Sequence, residues 1–322
     1  MVRFLLHRFL LAIVTIWAIA TITFFIAFLA PGDPAILKFG EKSSPVAIAE
    51  FRRKHGLDLP PLVRYVHYVA GITHGDFGSS FQNDEPVSSF FARAFPKTML
   101  LALLAIALAL TIGVTTGTVA ALKQGTLIDR SLMALVLVGV GVPNFVLAPV
   151  LVYIFVLTLP RLLPNLNVEW PPVVWSPDDP LSLLLPVVVL AARPAALIAR
   201  MTRSSLLETL RQDYIRTARA KGLSPSRILF VHTFKNAFLP VLTSAGTAFG
   251  FLLSGSFVVE TIFAVPGIGG ASISSFTTRD YPLIQGTTFV LATIFVVVNV
   301  LVDILYAFFD PRSRMNSEGA PA

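Results

Sequence analysis

Six stretches of the chain stay apolar long enough to read as membrane spans. A helix needs about 20 mainly apolar residues to cross the hydrocarbon core. Phe9–Ala30, Thr98–Leu122, Leu132–Leu159, Leu183–Met201, Ala237–Val259 and Ile284–Phe308 are of that kind. The pattern predicts an all-α integral membrane protein with six transmembrane helices. Gly139, Gly141, Pro143 and Pro149 fall in the third stretch, so a bend or break is expected there. The first stretch is followed by Pro31-Gly32-Asp33 rather than by a small-residue cleavage site, and reads as an uncleaved anchor.

The polar segments between the spans differ in kind. Segment 31–97 has the punctuation of a small helical insertion. Ser44 precedes Pro45 as a helix start, and Gly56 stands where a helix would stop. A second helix is expected from Pro61, with Leu62, Tyr65, Val66, Val69 and Ile72 on one face. Gly75 to Ser80 is turn-rich. The expected division is an anchor over 1–30, an extracytoplasmic insertion over 31–97, a five-span core over 98–310 with a loop at 202–236, and a tail over 311–322. The insertion either caps the outer mouth or meets an extracytoplasmic partner, and the two are compatible.

Composition excludes a soluble enzyme. Of 322 residues 55% are hydrophobic and 13% charged, with a mean hydropathy of +0.76, whereas soluble domains carry about 25% charged residues. The chain has no cysteine, which removes disulfides, thiolate chemistry and cysteine-bound metals. His7, His55, His67, His74 and His232 are scattered without ligand spacing, so no metal site is expected. The net charge of +7 is explained by topology. The loop at 202–236 holds Arg203, Arg211, Arg216, Arg219, Lys221, Arg227 and Lys235, whereas loops 160–182 and 260–283 hold only Arg161 and Arg279. Basic residues gather in short cytoplasmic loops, so both termini are expected inside. A nucleic-acid partner is not expected; the membrane lipid is.

The 202–236 loop carries the most information. Asp213 is expected to cap a helix, Gly222 to end it in a left-handed corner, and Ser224-Pro225 to start the next. Tyr214, Ile215 and Ala218 fall on one face at helical spacing. Arg216, Arg219 and Lys221 surround it with positive charge, and small Ala218 and Ala220 permit close approach by another protein. A basic loop meant only for anionic head groups would not need the corners.

Here the chain resembles a known family. Tyr214 to Leu223 resembles the signature loop of permease subunits of ATP-binding-cassette importers, in the form found in the oligopeptide and dipeptide group. The family's usual acidic residue is replaced by Arg216. The closing Leu-Pro is matched by Leu239-Pro240, further from Gly222 than in the general pattern. Leu29 to Pro34, His74 to Phe81, Val259 to Gly269, Arg279 to Pro282, and Asn299 to Arg314 also resemble blocks of that group. The likeness is nearest to the B-type permeases of oligopeptide importers, with the dipeptide type next.

The resemblance implies a type I importer fold and an alternating-access mechanism in a bacterial or archaeal cytoplasmic membrane. It implies a second, homologous permease, two ATPase subunits that bind ATP and Mg, and an extracytoplasmic peptide-binding protein. No cofactor is expected in this chain, and no Gly-x-x-x-x-Gly-Lys-Ser/Thr phosphate loop occurs in it. The coupling element would be Asp213, Tyr214, Ile215, Arg216, Thr217, Ala218, Arg219, Ala220, Lys221, Gly222 and Leu223. Nickel, glutathione and other small solutes stay open as cargo. A secondary transporter or channel would need coupling-ion sites or inverted repeats, and neither is legible.

Five polar residues in or near spans are candidates for the pathway or a gate. Arg193 lies mid-span, roughly 15 Å from either end at 1.5 Å per residue, where a charge is expensive and points to function. It either faces the pathway and attracts a peptide carboxylate, or pairs with an acid or snorkels at the Pro194 bend. The family is mostly apolar at this point. Asn144 either lines the pathway at the expected break or is a buried amide. Glu260 either helps close the outer mouth or caps a helix. Asn299 and Asp303 share a face of the last span and suit interface or gate packing, with substrate contact as the alternative. Gly113 with Gly117, and Gly246 with Gly250, have the spacing that lets helices approach closely, within the chain or between permeases.

Overall fold

The computed structural model describes residues 2–29, 32–40, 44–164 and 169–309. The expected tail 311–322, Pro31 and the Asp310-Pro311-Arg312 block lie outside the described residues. α1 (Val2–Leu29) is followed by α2 (Pro34–Phe39), α3 (Pro45–Lys54) and α4 (Pro61–Thr73). Next come α5 (Val87–Leu122), α6 (Leu127–Gly141) and α7 (Asn144–Val152), which passes through a π-helical stretch, Tyr153–Thr158, into α8 (Leu159–Leu162). A 3-10 turn, Pro180–Leu183, opens α9 (Leu184–Leu210), and α10 (Asp213–Ala220) and α11 (Pro225–Arg227) follow. A second π-helical stretch, Ile228–Thr233, leads into α12 (Phe234–Gly255), and α13 (Phe257–Ile262), α14 (Ile268–Thr278) and α15 (Tyr281–Phe309) complete the chain.

Six helical stretches are long and apolar enough to cross a membrane: Leu6–Leu29, Val87–Leu122, Asn144–Leu162, Pro180–Leu210, Pro225–Leu253 and Tyr281–Leu305. Two expectations shift. The second helix begins at Val87, so the border expected at 97/98 falls inside one helix. The third stretch is two helices. Val142 is extended (φ −86°, ψ 117°) before Pro143 (φ −65°, ψ 147°), because a residue preceding proline is pushed out of the helical region.

α5 and α9 form the most extensive helix pair. Gly113 and Gly117 permit it: a Cβ on Gly113 would stand 2.7 Å from Ile198 Cγ2 and 2.8 Å from the Ala195 carbonyl, and one on Gly117 would strike the Ala199 carbonyl. Gly246 and Gly250 do the same for α12 against Val302 and Phe295 of α15. Both pairs thus serve contacts within the chain. Around the α5–α9 seam, Leu101, Ala105 and Ala109 pack with Leu190, Ile198, Val241, Leu253 and Phe263.

The insertion leans on α1 through aromatics. Tyr65 lies 5.4 Å from Phe24 edge-on, Tyr68 lies 5.5 Å from it, and Tyr65 Oη shares a 2.7 Å hydrogen bond with Thr21 Oγ1. The packed face of α4 is therefore Tyr65 and Tyr68. Leu62 and Val66, expected on that face, are exposed, with Val69 and Ile72 half-buried. Ser44 and Pro45 do open α3, and Gly56 follows its end with φ +63°.

Gly117→Val should drive a side chain into a carbonyl that cannot retreat. We expect a loss of about 1–3 kcal/mol, read as a lower melting temperature of the purified protein in detergent. Gly141→Ala, whose Cβ would meet nothing within 4 Å, should leave it unchanged.

Candidate functional site

α10 is a short helix held between two corners. Gln212 occupies its N-cap position (φ −67°, ψ 149°), and Asp213 is the first helical residue and makes no cap bond. This corrects the expected cap by one residue. Asp213 instead forms an exposed pair with Arg216, Nη1 to Oδ1 3.2 Å, a contact worth only about 0.3–0.5 kcal/mol. Gly222 follows the helix with φ +73°, and Ser224 precedes Pro225 at the start of α11.

One face of α10 is seated. Ile215 and Ala218 are buried with Ile228, against Leu210 and Leu223. Tyr214 lies off this face, exposed, and its hydroxyl accepts a 2.7 Å hydrogen bond from Asn236 Nδ2. Tyr214 therefore ties α10 to α12. Ala218 packs inward as well, which leaves Ala220 as the exposed small residue. Arg216, Thr217, Arg219, Ala220, Lys221 and Gly222 are all exposed, so the outward surface is basic with a small centre.

A second site lies near the middle of Pro180–Leu210. Arg193 and Asn144 line one cavity of about 340 Å³, with Leu190, Pro194, Leu197, Ala248, Phe251 and Leu252. Asn144 opens α7 just after the break, so the break and the mid-span charge are one feature in space. Arg193 is exposed on the isolated chain and has no hydrogen-bond or ion-pair partner among the described residues. Pro194, next to it, cannot supply the N–H that the Leu190 carbonyl would accept in an unbroken helix.

The remaining candidates disperse. Glu260 is buried and accepts hydrogen bonds from Thr98 Oγ1 (2.8 Å), Ser256 Oγ (2.7 Å) and the Gly270 N–H (2.8 Å). Thr98 Oγ1 in turn accepts from the Ile268 N–H at 2.9 Å. The carboxylate thus caps the first turn of α14, where the helix dipole favours it, and Gly267 and Gly269 leave it room. Asp303 pairs with Arg8 of α1 at 3.1 Å, and Asn299 donates to the Phe295 carbonyl of its own helix at 2.8 Å. Neither reaches the Arg193 cavity.

Two polar links had no counterpart in the sequence reading. Arg203 of α9 grips Asp129 of α6 with two bonds of 2.7 and 2.8 Å, and the Gly125 N–H adds a third. Those bonds, Arg203's first, hold the Asp129 carboxyl down at about 2. The stability it lends is present above the ordinary carboxylate range and is lost only as pH falls through about 2. In the other link, Asp280, buried before α15, accepts from Ser80 Oγ and from the Phe81 N–H (3.0 Å). The blocks at His74–Phe81 and Arg279–Pro282 thus touch each other. Sequence alone offers no signal for either link beyond an acid and a donor far apart in the chain.

Residues 113–315 match the family described as binding-protein-dependent transport system inner membrane component, and residues 1–102 match the N-terminal part of such components. A putative peptide transport system permease protein of Brucella abortus is 42% identical over 98% of this chain and 99% of its own length. The oligopeptide transport system permease protein of Salmonella typhimurium is 40% identical over 98% of this chain and all of its own. An inward-facing structure of the MetNI methionine ABC transporter shares the fold, with a TM-score of 0.52 at 19% identity, covering 69% of this chain and 96% of that one.

Ile215→Ala should unseat α10 without touching the spans. Truncating a buried isoleucine removes about 2–5 kcal/mol of local packing. Trypsin cleavage after Arg216 and Arg219 should speed up at least roughly tenfold at unchanged helix content by circular dichroism; equal cleavage rates would show that the corners alone hold the helix.

Proposed function

Because the chain belongs to the family of binding-protein-dependent transport system inner membrane components, we propose that it is a permease subunit of an ATP-driven peptide importer. It is a multi-pass inner-membrane protein, and in this reading both termini and α10 lie in the cytoplasm. A second, related permease completes the pathway, two ATPase subunits hold ATP and Mg, and an extracytoplasmic binding protein delivers the cargo. Relatives named for peptide and oligopeptide transport support a peptide as that cargo.

The observation that carries the reading is α10 itself. It offers a basic surface to a partner, while Ile215 and Ala218 bind it to Leu210, Leu223 and Ile228. Arg211 and Gln212 alone separate it from α9. A displacement imposed on α10 by a closing ATPase pair therefore passes directly into α9. The Arg203–Asp129 grip carries α6 along with it. The result is alternating access: the same helices that open the path to one side close it to the other.

Two measurements test this. The native complex, purified through a tag on this chain, should contain ATPase subunits in amounts stoichiometric with it; a stable transport-competent complex lacking them would overturn the reading. Gly222→Val forces a β-branched residue to φ +73°, a strain of about 1–2 kcal/mol. Uptake should fall roughly tenfold while ATP hydrolysis persists, because the corner that seats α10 is lost.

A further inference from the structure

The Arg193 cavity carries an inference that rests on this reading and deepens it. Three acidic groups in or beside the spans find their partners inside the chain. Glu260 is held by Thr98, Ser256 and Gly270. Asp303 is paired with Arg8 and Asp129 with Arg203. Arg193 has no such partner among the described residues. A permanent cation in hydrocarbon is among the most expensive arrangements a membrane protein can hold. No described residue supplies its counter-charge, so the site is open to one brought by another molecule.

The surroundings indicate the source. The cavity of about 340 Å³ is walled by Leu190, Leu197, Ala248, Phe251 and Leu252, with Arg193 and Asn144 as its polar groups. Small-molecule sites have this character: concave, mostly apolar, with a few placed polar groups. Asn144 is also the first residue of α7 and stands beside Arg193 near the middle of Pro180–Leu210. The start of a broken helix carries partial positive charge and favours an anionic group. Irregular backbone at membrane depth, such as Val142-Pro143, is tolerated where it lines a water-filled or protein-filled space. Cation, amide and helix start thus converge on one cavity.

We propose that this cavity is the subsite that receives the C-terminal carboxylate of a peptide in transit. Arg193 neutralises the carboxylate, Asn144 offers it an amide donor, and the apolar wall takes the last side chain. The chain therefore discriminates among peptides by a free C-terminus, in addition to whatever the binding protein selects.

The test uses the full complex in proteoliposomes, with binding protein saturated by either a peptide acid or the same peptide as its C-terminal amide. Wild type should carry the acid about 10-fold faster, the ratio expected from a charged hydrogen-bonded contact of at least about 1.4 kcal/mol. Arg193→Gln should bring that ratio close to 1 with ATP hydrolysis and assembly intact. Asn144→Asp, which places a carboxylate in the cavity, should lower acid uptake and spare the amide. An acid-to-amide ratio unchanged in Arg193→Gln would overturn the subsite. So would loss of assembly in Arg193→Gln restored by Arg193→Lys with no acid preference, since the cation would then answer an acid on the second permease. Absence of ATP-dependent uptake in wild type would instead count against the importer reading.

Discussion

The approach of α9 to α5 at Gly113 and Gly117 is the contact on which the rest of the chain depends. The lipid offers no hydrophobic drive to hold two apolar helices together, so their association rests on close packing. At these two positions even one methyl group would collide with the α9 backbone or with Ile198. The result is a fourth span with 61% of its apolar window buried, the largest share of the six. α9 can therefore carry polar groups that a lipid-facing helix could not. Arg193 opens into a walled cavity, Arg203 is neutralised by Asp129, and the far end runs on to α10.

The charges follow a common rule. An unpaired charge in hydrocarbon is costly, so the buried carboxylates are matched locally, and on the proposed subsite Arg193 marks a place where something else enters. Glu260 illustrates the first case. Its carboxylate joins α5, α13 and the start of α14 through three donors, and glycines at 267 and 269 make the enclosure possible. Asp280 does the same between α15 and the insertion. Both fasten the insertion end of the bundle. Arg193 illustrates the second case.

Much of this was legible in the sequence, and what was not shares a physical cause. Span number, the break at Pro143 and the corner at Gly222 all follow from local chemistry: apolar length, the clash proline imposes on the residue before it, and the left-handed region open to glycine. Errors arose where the answer depended on neighbours. Gln212 rather than Asp213 holds the cap position because the chain leaves α9 one residue earlier than polar identity suggests. The packed face of α4 is set by Phe24 and Phe25 of α1, which favour Tyr65 and Tyr68 over the more hydrophobic Leu62 and Val66. Asp129–Arg203 and Ser80–Asp280 join residues far apart in sequence, and helical periodicity fixes which face a residue is on but not which helix it meets.

The two ends of the bundle are built differently, and that difference gives motion a direction. At the insertion end, buried carboxylates and an aromatic cluster lock α1, α5, α14 and α15 together. At the α10 end, α10 itself is held by one seated apolar face and one tyrosine hydroxyl, beside an apolar cluster of Ala121, Leu206, Leu229 and Ala237 and the Arg203–Asp129 pair. The path from α10 to α12 also runs through the π-helical stretch Ile228–Thr233, a geometry associated with functional sites and local strain. The path to α9 is only Arg211 and Gln212. On the proposed coupling, a push on α10 is absorbed in part before it reaches α12 but arrives at α9 undiminished. The helix that receives it is the one bearing Arg193, and the helix it slides past, α7, begins at Asn144. A displacement of α9 relative to α7 would change the cavity that these two residues share, so on these proposals the point where work would enter and the point where cargo would be held are joined by one helix, α9.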